Sequence, residues 1–304
     1  MRRGSRSIGG SRRARRLWTA GALLAFALTL LGAASRLSVG APDPERTYSS
    51  GAAILTVIEQ PRAKGVMVTT GGWAYCQQLR ALARRSRLTL LCGRFAKDGY
   101  VGPGLRARRH LDWGNAAYLR ALAREARALH RRVGGELLLV GVSYSGFGVA
   151  ALASHHPELR PDRLIVIDSY LDLAARRAAA GTGATGREID AETGGSGGAL
   201  AARSVRLAGL ASLVATGTRL QVIWSIAPDE AREFKGATCN LAANAGPLQR
   251  LANVLGRPIP AWVTTNRHGH DLWDHGRRIL RGEFPGRTVI FRPGGPVPPG
   301  VVCS

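Results

Sequence analysis

The stretch that decides the fold is ELLLVGVSYSGFGVA, residues 136–150. Its apolar first half ends at Gly141, which is typical of a buried strand, and its second half is rich in small residues, which favours a helix. A strand that runs directly into a helix needs a sharp turn, and Ser143 lies at the centre of this one. The backbone of such a turn is strained and directs the serine hydroxyl off the end of the sheet.

This turn nearly matches the pattern G-x-S-x-G. Gly141 occupies the first position and Ser143 the third, but the last position is Ser145, and the glycine follows one residue later at Gly146. Small residues are needed on both sides because neighbouring backbone packs closely there. The predicted strand before the motif and the predicted helix after it are the structural context that the pattern requires.

Other apolar runs predict the remaining strands. They span residues 52–58, 65–70, 88–92, 163–168, 220–224 and 260–265, with a shorter run at 288–291. These runs do not alternate with polar residues, and helical stretches separate them. Both features indicate an α/β fold with a mostly parallel sheet and helices on both faces. Residues 42–50 are predicted to be a polar linker, and the Gly- and Ala-rich segment at about 174–216 a flexible insertion after the strand that ends at Asp168.

A long helix is predicted before the 136–150 stretch. Its apolar residues recur three or four positions apart: Leu119, Leu122, Ala126, Leu129 and Val133. They form one stripe along the helix, and arginines cover the opposite face. Asp112 is in a position to cap the amino-terminal end of this helix.

The first 41 residues are predicted to be a leader, separate from the folded domain at 42–304. Seven arginines lie between Met1 and Arg16, and an uncharged apolar run of 18 residues follows at 17–34. The pattern is that of a signal peptide cleaved near 33–35, or of an uncleaved membrane anchor, since the run is just long enough to cross a bilayer. In both cases the domain lies outside the cytoplasm, secreted or anchored, and an uncleaved segment would supply contact with the membrane.

The net charge of +23 raises the question of nucleic-acid binding. Of the 43 basic residues, only Lys64, Lys97 and Lys235 are lysines, and the arginines are spread along the chain. No recognisable nucleic-acid-binding motif gathers them. The charge therefore predicts a solvated basic surface with a weak attraction to acidic lipids or polymers, rather than a nucleic-acid partner.

Four cysteines suit a compartment outside the cytoplasm: Cys76, Cys92, Cys239 and Cys303. None has the C-x-x-C spacing of zinc sites, and no phosphate-binding loop is present, so we expect neither a metal nor another cofactor. An even number favours two disulfides, for which three pairings exist, and four buried free thiols are the alternative. We favour Cys76–Cys92, which joins a helix to the next strand, and Cys239–Cys303, which holds the tail.

Polar residues that could carry chemistry follow the predicted strands. Ser143, Asp168, Asp229 and His270 each lie just past a strand end, and the carboxyl ends of parallel strands form the working edge of such a sheet. A serine hydroxyl becomes a nucleophile when a histidine accepts its proton and a carboxylate orients that histidine. The order serine, acid, histidine along the chain predicts a catalytic triad.

On these motifs the segment from Gly65 to Ile290 resembles a domain of the α/β-hydrolase superfamily. The sequence GVSYSG at 141–146 stands where that superfamily has its nucleophile elbow. The sequence GHDLW at 269–273 is similar to the histidine loop of its esterase and mycolyltransferase branches. The resemblance implies an α/β-hydrolase fold and an esterase- or lipase-like activity.

The same resemblance implies the role of each site residue. Ser143 is expected to be the nucleophile and His270 the base, with His268 as the alternative base. Asp229 is expected to be the supporting acid. Asp168 is the alternative acid, because some lipases place the acid after that strand.

An oxyanion hole of two backbone N–H groups is also implied. Tyr144, directly after the nucleophile, would supply one donor. Gly72 or Trp73, in the loop after the strand that ends at Thr70, would supply the other. Many members of the superfamily have His-Gly in this loop, whereas this chain has TGG at 70–72. Glycines suit a loop whose backbone must approach closely.

The sequence thus predicts an extracytoplasmic serine hydrolase that acts on carboxylic esters of a small molecule, a lipid or a polymer. Two alternatives are open. One keeps the nucleophile but transfers the acyl group to a sugar or lipid alcohol. The other is a non-catalytic, surface-tethered binding domain on the same fold, which Ser145 and the missing His-Gly leave open.

Overall fold

The computed structural model describes residues 44–71, 73–95, 112–225, 235–284 and 286–298 of the chain, without the side chains at 73–74 and 235–244. Several predictions lie outside these residues: the leader at 1–41, Gly72, Asp229, Cys303 and the side chain of Cys239. What the structure describes belongs to one compact unit that begins at Pro44.

A nine-stranded sheet forms the centre of the molecule. Its strands are β1 (Glu45–Ser50), β2 (Ala53–Ile58), β3 (Gly65–Thr69), β4 (Thr89–Phe95), β5 (Glu136–Val142), β6 (Arg163–Ile167), β7 (Arg219–Ser225), β8 (Ile259–Thr264) and β9 (Arg287–Phe291). Their order across the sheet is β1-β2-β4-β3-β5-β6-β7-β8-β9. The pairs from β4 to β8 are parallel, whereas β1, β2 and β9 pair in antiparallel fashion at the edges. The sheet is therefore mostly parallel, as predicted.

Helices connect the strands. In the described ranges they are α1 (Trp73–Ser86), α2 (Ala116–Val133), α3 (Tyr144–His155), α4 (Leu173–Ala180), α5 (Ala184–Thr193), α6 (Gly197–Arg203), α7 (Leu207–Ala215), α8 (Lys235–Leu255) and α9 (His270–Leu280). The boundaries of β2 to β9 agree with the predicted apolar runs to within a few residues, because long apolar runs are strong signals.

Alternate residues of each strand point to opposite faces of the sheet and divide the core into two layers. On β5, Leu137 and Leu139 belong to one layer, and Leu138 and Val140 to the other. Helices α2 to α8 cover the first layer, and α1 and α9 cover the second. Both faces of the sheet are therefore buried, which explains why its central strands are apolar without alternation.

The predicted long helix is α2, and its stripe is buried as expected at Leu119, Leu122, Ala126 and Leu129. The prediction that Asp112 caps this helix is wrong. The cap is Asn115, whose side-chain oxygen accepts hydrogen bonds from the N–H groups of Ala117 (3.0 Å) and Tyr118 (3.2 Å). Asp112 lies in the turn before this helix, and its carboxylate has other hydrogen-bond partners.

Strand β1 corrects the prediction of a polar linker at 42–50. It pairs with β2 at the edge of the sheet, and its polar side chains find polar partners. Tyr48 and Ser50 both donate to the Glu125 carboxylate of α2, at 3.2 and 3.0 Å. An edge strand that is largely exposed needs no apolar pattern, so hydropathy alone did not reveal it.

The predicted insertion between β6 and β7 is present, and it consists of the four short helices α4 to α7. Within it, Gly197–Ala215 is apolar and long enough to cross a membrane by length and composition alone. In the structure α7 packs on α3: a Cβ atom on Gly209 would lie 1.9 Å from the carbonyl oxygen of Ser154. The buried residues of α7 belong to the core of the domain.

A disulfide joins Cys76 of α1 to Cys92 of β4, with the two Cα atoms 5.6 Å apart. This is one of the two pairings that the sequence favoured. Both cysteines are buried against the second core layer. A structural disulfide indicates an oxidising compartment.

Candidate active site

Ser143 lies at the turn between β5 and α3, at the carboxyl edge of the sheet. Its backbone has φ 54° and ψ −123°, a conformation that side-chain-bearing residues rarely adopt. The Ser143 N–H donates to the carbonyl oxygen of Ile167, at the end of the neighbouring strand, with an N–O distance of 2.8 Å. The strained turn and its fixed position relative to β6 are the geometry of a nucleophile elbow.

Two glycines allow this turn to be so tight. A Cβ atom on Gly141 would lie 2.3 Å from the carbonyl oxygen of Ser145, and one on Gly146 would lie 2.6 Å from the Cβ of Ser169. Both distances are far below van der Waals contact. Helix α3 can therefore begin directly against β5 and β6 only because these two positions lack side chains.

Ser145, where the motif normally has its second glycine, is fully buried. Its hydroxyl is 2.8 Å from the hydroxyl of Thr69, and its carbonyl oxygen accepts a hydrogen bond from the Thr70 hydroxyl at 3.2 Å. The end of β3 thus provides partners for a serine at this position. The requirement for a glycine falls on Gly146 instead.

Asp168 directly follows β6 and is buried. One carboxylate oxygen accepts a hydrogen bond from the N–H of Ser225 at 2.5 Å, and the other accepts from the N–H of Gly269 at 2.6 Å and from the Ser225 hydroxyl at 2.8 Å. Burial raises the pKa of Asp168 to about 7, and the Asp271 charge adds to the rise, while these three hydrogen bonds oppose it. The Asp168 backbone is also strained, with φ 49°.

His268, and not His270, lies beside Asp168. The Nδ1 atom of His268 is 3.9 Å from Oδ2 of Asp168, and its side chain is 18% exposed. His270 begins α9 and points outwards: its Nδ1 lies 3.7 Å from Oδ2 of Asp274, with the two side chains 49% and 53% exposed. The distance from His268 Nδ1 to the carboxylate is longer than a hydrogen bond, and catalytic hydrogen bonds are often this long when no substrate is bound.

Gly269 places this histidine loop against the elbow. Its φ of 77° belongs to the left-handed region, and a Cβ atom there would lie 3.3 Å from Cγ1 of Val142, the residue before Ser143. Together with its N–H bond to Asp168, this contact joins three loops at one point. Ser143, Asp168 and His268 therefore converge at the ends of β5, β6 and β8.

A second buried carboxylate, Asp271, supports this arrangement. It accepts hydrogen bonds from the Thr264 hydroxyl at 2.5 Å and from the Asn266 amide at 2.6 Å. Its Oδ2 also lies 2.8 Å from the Ser225 hydroxyl, whose single proton is shared between Asp271 and Asp168. Thr264 ends β8 and Asp271 lies in the first turn of α9, so these bonds hold the loop that carries His268. Ser225 lies between the two carboxylates and fixes their separation.

The loop after β3 also reaches the elbow. Gly71 has φ 88°, and a Cβ atom there would lie 3.2 Å from Cβ of Ser145. Trp73 begins α1, so the loop between β3 and α1 is very short. Tyr144, the other predicted oxyanion donor, is the first residue of α3, where the N–H groups of a helix have no intrahelical partners.

The chemistry available at this edge is that of serine, histidine and carboxylate. Over the residues that the structure describes, no group of three or more His, Cys, Asp or Glu side chains is arranged to hold a metal ion.

Similarity to known proteins is found in structure and not in sequence. No family model matches the chain, and no curated protein is similar to it in sequence. Two structures of the acylaminoacyl peptidase from Pyrococcus horikoshii are similar to it. The orthorhombic crystal form gives a TM-score of 0.53 at 13% identity, and the uncomplexed form 0.52 at 14%; each match covers 80% of this chain and 40% of that one. A weaker match is the capsule O-acetyltransferase of Neisseria meningitidis serogroup A, with a TM-score of 0.48 at 12% identity over 82% of this chain and 98% of that one.

The chain has the α/β-hydrolase fold. Identities this low establish the fold alone. The α/β-hydrolase architecture explains why Ser143, the residue after β6 and the loop after β8 meet at one edge of the sheet.

Two parts of the site escaped the sequence analysis. Asp271 stands within the GHDLW motif but was not singled out, and Ser225 is an ordinary polar residue at a strand end. Their positions could have indicated them, since Ser225 and Thr264 both end strands whose carboxyl edge carries the site. Only the fold shows that their side chains meet Asp271 and Asp168.

Proposed function

We propose that this protein is a serine hydrolase of carboxylic esters. In the proposed mechanism, Ser143 is the nucleophile, His268 is the base and Asp168 is the supporting acid. The observation that carries the proposal is the strained turn at Ser143 after β5, with Asp168 after β6 and His268 after β8 at the same edge of the sheet. Strain of this kind persists at functional sites because the surrounding structure holds it.

The first half of the reaction forms the acyl-enzyme. The Ser143 Oγ attacks the ester carbonyl carbon while His268 Nε2 accepts its proton, because the Nδ1 atom faces Asp168. The oxyanion that develops is stabilised by the N–H of Tyr144 at the amino terminus of α3, where the helix dipole is also favourable. The alcohol leaves with the proton from His268.

In the second half a water molecule replaces the alcohol. It loses a proton to His268 and attacks the acyl carbon, and the Ser143 Oγ leaves with that proton. Asp168 stabilises the imidazolium in both halves, for which it must be ionised. Its three hydrogen bonds, two of them from backbone N–H groups, favour the ionised form and oppose the effect of burial, which raises the pKa of Asp168 to about 7.

The proposal includes a location outside the cytoplasm. It is supported by the Cys76–Cys92 disulfide and by the basic and apolar leader at 1–41. In intact cells that express the full chain, externally added protease should degrade the domain if the leader anchors it, and the domain should appear in the medium if the leader is cleaved. A domain that stays protected inside the cells would contradict this part.

Replacing Ser143 with alanine tests the mechanism. The Ser143→Ala variant should lose turnover of p-nitrophenyl esters of increasing acyl length, by about 10³-fold or more, and should unfold at the same denaturant concentration as the wild type. A fluorophosphonate probe should label the wild type at Ser143 and leave the variant unlabelled. Equal turnover by the two proteins would contradict the proposal.

The same proteins separate the alternatives. Product analysis with added sugar or lipid alcohols would reveal acyl transfer as an ester of the added alcohol, in place of the free acid. Lack of both turnover and probe labelling in the wild type would favour the non-catalytic binding domain.

A further inference from the structure

Tyr144 supplies the N–H that the proposed mechanism uses, and its side chain is held in place. It is 7% exposed. Its hydroxyl donates a hydrogen bond to the Asp112 carboxylate and accepts one from the Asp112 N–H at 2.9 Å. Its ring packs edge-on against Trp113, with centroids 5.1 Å apart. One short segment therefore holds the residue that directly follows Ser143.

That segment, Asp112 to Asn115, is itself fixed. The Gly114 N–H donates to the Asp112 carboxylate at 2.9 Å, and the Asn115 N–H donates to the Asp112 carbonyl oxygen at 2.9 Å. Trp113 has φ 42° and Gly114 has φ 75°, so the turn adopts a conformation that only a tightly held segment maintains. Asn115 then caps α2, which anchors the turn to a long helix.

The insertion touches the same segment. Arg203, at the end of α6, donates from Nη1 to the Asp112 carbonyl oxygen at 3.2 Å. A Cβ atom on Gly114 would lie 2.3 Å from the carbonyl oxygen of Arg203. Asp112 thus lies between the insertion and the elbow.

The Asp112 side chain is only 2% exposed, and burying a carboxylate costs free energy of folding. Burial raises its pKa to about 7, against the effect of its backbone hydrogen bonds and of Arg203. An apolar side chain of similar size would avoid this cost. Stability therefore does not account for a carboxylate here, whereas its hydrogen bond to Tyr144 gives it a role.

We propose that Asp112 is a positioning residue. By holding the Tyr144 hydroxyl, it fixes the Tyr144 N–H at the place where the oxyanion forms. The proposal rests on the proposed function. Asp112 touches no reacting atom and acts only through Tyr144. An oxyanion donor stabilises the transition state only if it is fixed in advance, so a loosened Tyr144 should slow the chemical step and leave substrate binding intact.

The test is Tyr144→Phe, which keeps the ring against Trp113 and removes the hydroxyl. Loss of a whole oxyanion donor lowers kcat by about 10²- to 10³-fold, so a donor that is loosened should lower kcat by about ten-fold. KM should stay within about two-fold. The matched control is Tyr48→Phe, because the Tyr48 hydroxyl also donates to a carboxylate, Glu125, but on the edge strand β1. The control should keep the kcat of the wild type.

Variants of Asp112 test the same hydrogen bond from its other side. Asp112→Asn keeps an acceptor for the Tyr144 hydroxyl and should keep kcat within about three-fold, whereas Asp112→Ala should lower kcat as Tyr144→Phe does. The double variant Tyr144→Phe/Asp112→Ala should lose no more than the worse single variant, since both changes break one bond. If Asp112→Ala does not fold, Tyr144→Phe and Asp112→Asn decide the question.

Three results would overturn the proposal alone. They are wild-type kinetics in Tyr144→Phe, a raised KM with unchanged kcat in that variant, and an Asp112→Asn variant that folds but has lost kcat about ten-fold or more. Turnover that persists in Ser143→Ala would instead overturn the proposed function, and this proposal with it.

Discussion

At the end of β8 the chain turns so sharply that two histidines, two residues apart, have opposite surroundings. His268 lies in the partly buried loop beside Asp168, and His270 lies on the solvent side of α9 beside Asp274. An exposed ion pair contributes little to stability or to orientation. A buried carboxylate next to an imidazole, in contrast, can both orient it and stabilise its charge.

We therefore expect His268→Ala and Asp168→Ala each to lower kcat/KM by about 10³-fold or more. His270→Ala and Asp229→Ala are the matched controls, and each should keep kcat/KM within about three-fold. The measurement is steady-state hydrolysis of the ester that Ser143 turns over best. Loss of activity in His270→Ala with retention in His268→Ala would assign the base to His270. Loss of activity in Asp229→Ala with retention in Asp168→Ala would assign the supporting acid to Asp229.

The decisive element is the pair of β5 and α3 with the turn between them. Helix α3 is apolar almost all round and is buried on every side, so it cannot move away from the sheet without opening the core. Its close approach to β6 is what allows the Ser143 N–H to bond Ile167. The glycine at position 146 makes this approach feasible.

Gly146→Ala should consequently destabilise the fold. Its Cβ would lie 2.6 Å from Cβ of Ser169, and overpacking of this kind costs about 1–3 kcal/mol. Urea denaturation followed by circular dichroism would measure the loss. Gly198→Ala is the matched control, because a Cβ on Gly198 meets no atom within 4 Å and alanine favours a helix. Equal stability of Gly146→Ala and the wild type would show that the elbow does not require a glycine at position 146.

For the molecule as a whole, the carboxyl edge of the sheet is also where stability depends on pH. Asp112 and Asp168 are both buried there, and burial raises the pKa of each from 3.8 to about 7. Arg203, Tyr144 and Tyr170 surround Asp112. Each of these carboxyl groups therefore binds its proton more tightly in the folded state than in the unfolded state, so protonation stabilises the fold. This stabilisation is fully present below about pH 4 and is lost as the pH rises to about 7.

Asp112→Asn should therefore lower the free energy of unfolding, relative to the wild type, most strongly at low pH. The difference in the free energy of unfolding between the wild type and this variant should shrink by about 1–3 kcal/mol between about pH 5 and pH 8. Denaturant unfolding at several pH values would measure it. Asp190→Asn is the control of opposite sign, since Arg177 holds the pKa of that exposed carboxyl below its ordinary value. A difference for Asp112→Asn that does not change with pH would show that its carboxyl is ionised throughout.

Much of the architecture could be predicted because its signals are local. The apolar run of β5, the small residues after Ser143 and the helical stripe of α2 each reflect the preferences of neighbouring residues. Strand β1 was missed because an exposed edge strand has no apolar pattern. Asp112 was misassigned because an acid before a helix is a common cap, and nothing local shows that Tyr144 lies within its reach.

The sequence by itself determined the elbow, the mostly parallel sheet and the edge at which polar residues gather, since these follow from periodicity and from the sterics of one turn. Only the tertiary structure showed that His268, and not His270, lies beside Asp168. The hydrogen bond from the Gly269 N–H to Asp168 joins residues 101 positions apart, and such contacts form only when packed strands bring distant loops together. His268 and His270 are equivalent candidates along the chain, and burial and direction distinguish them in space.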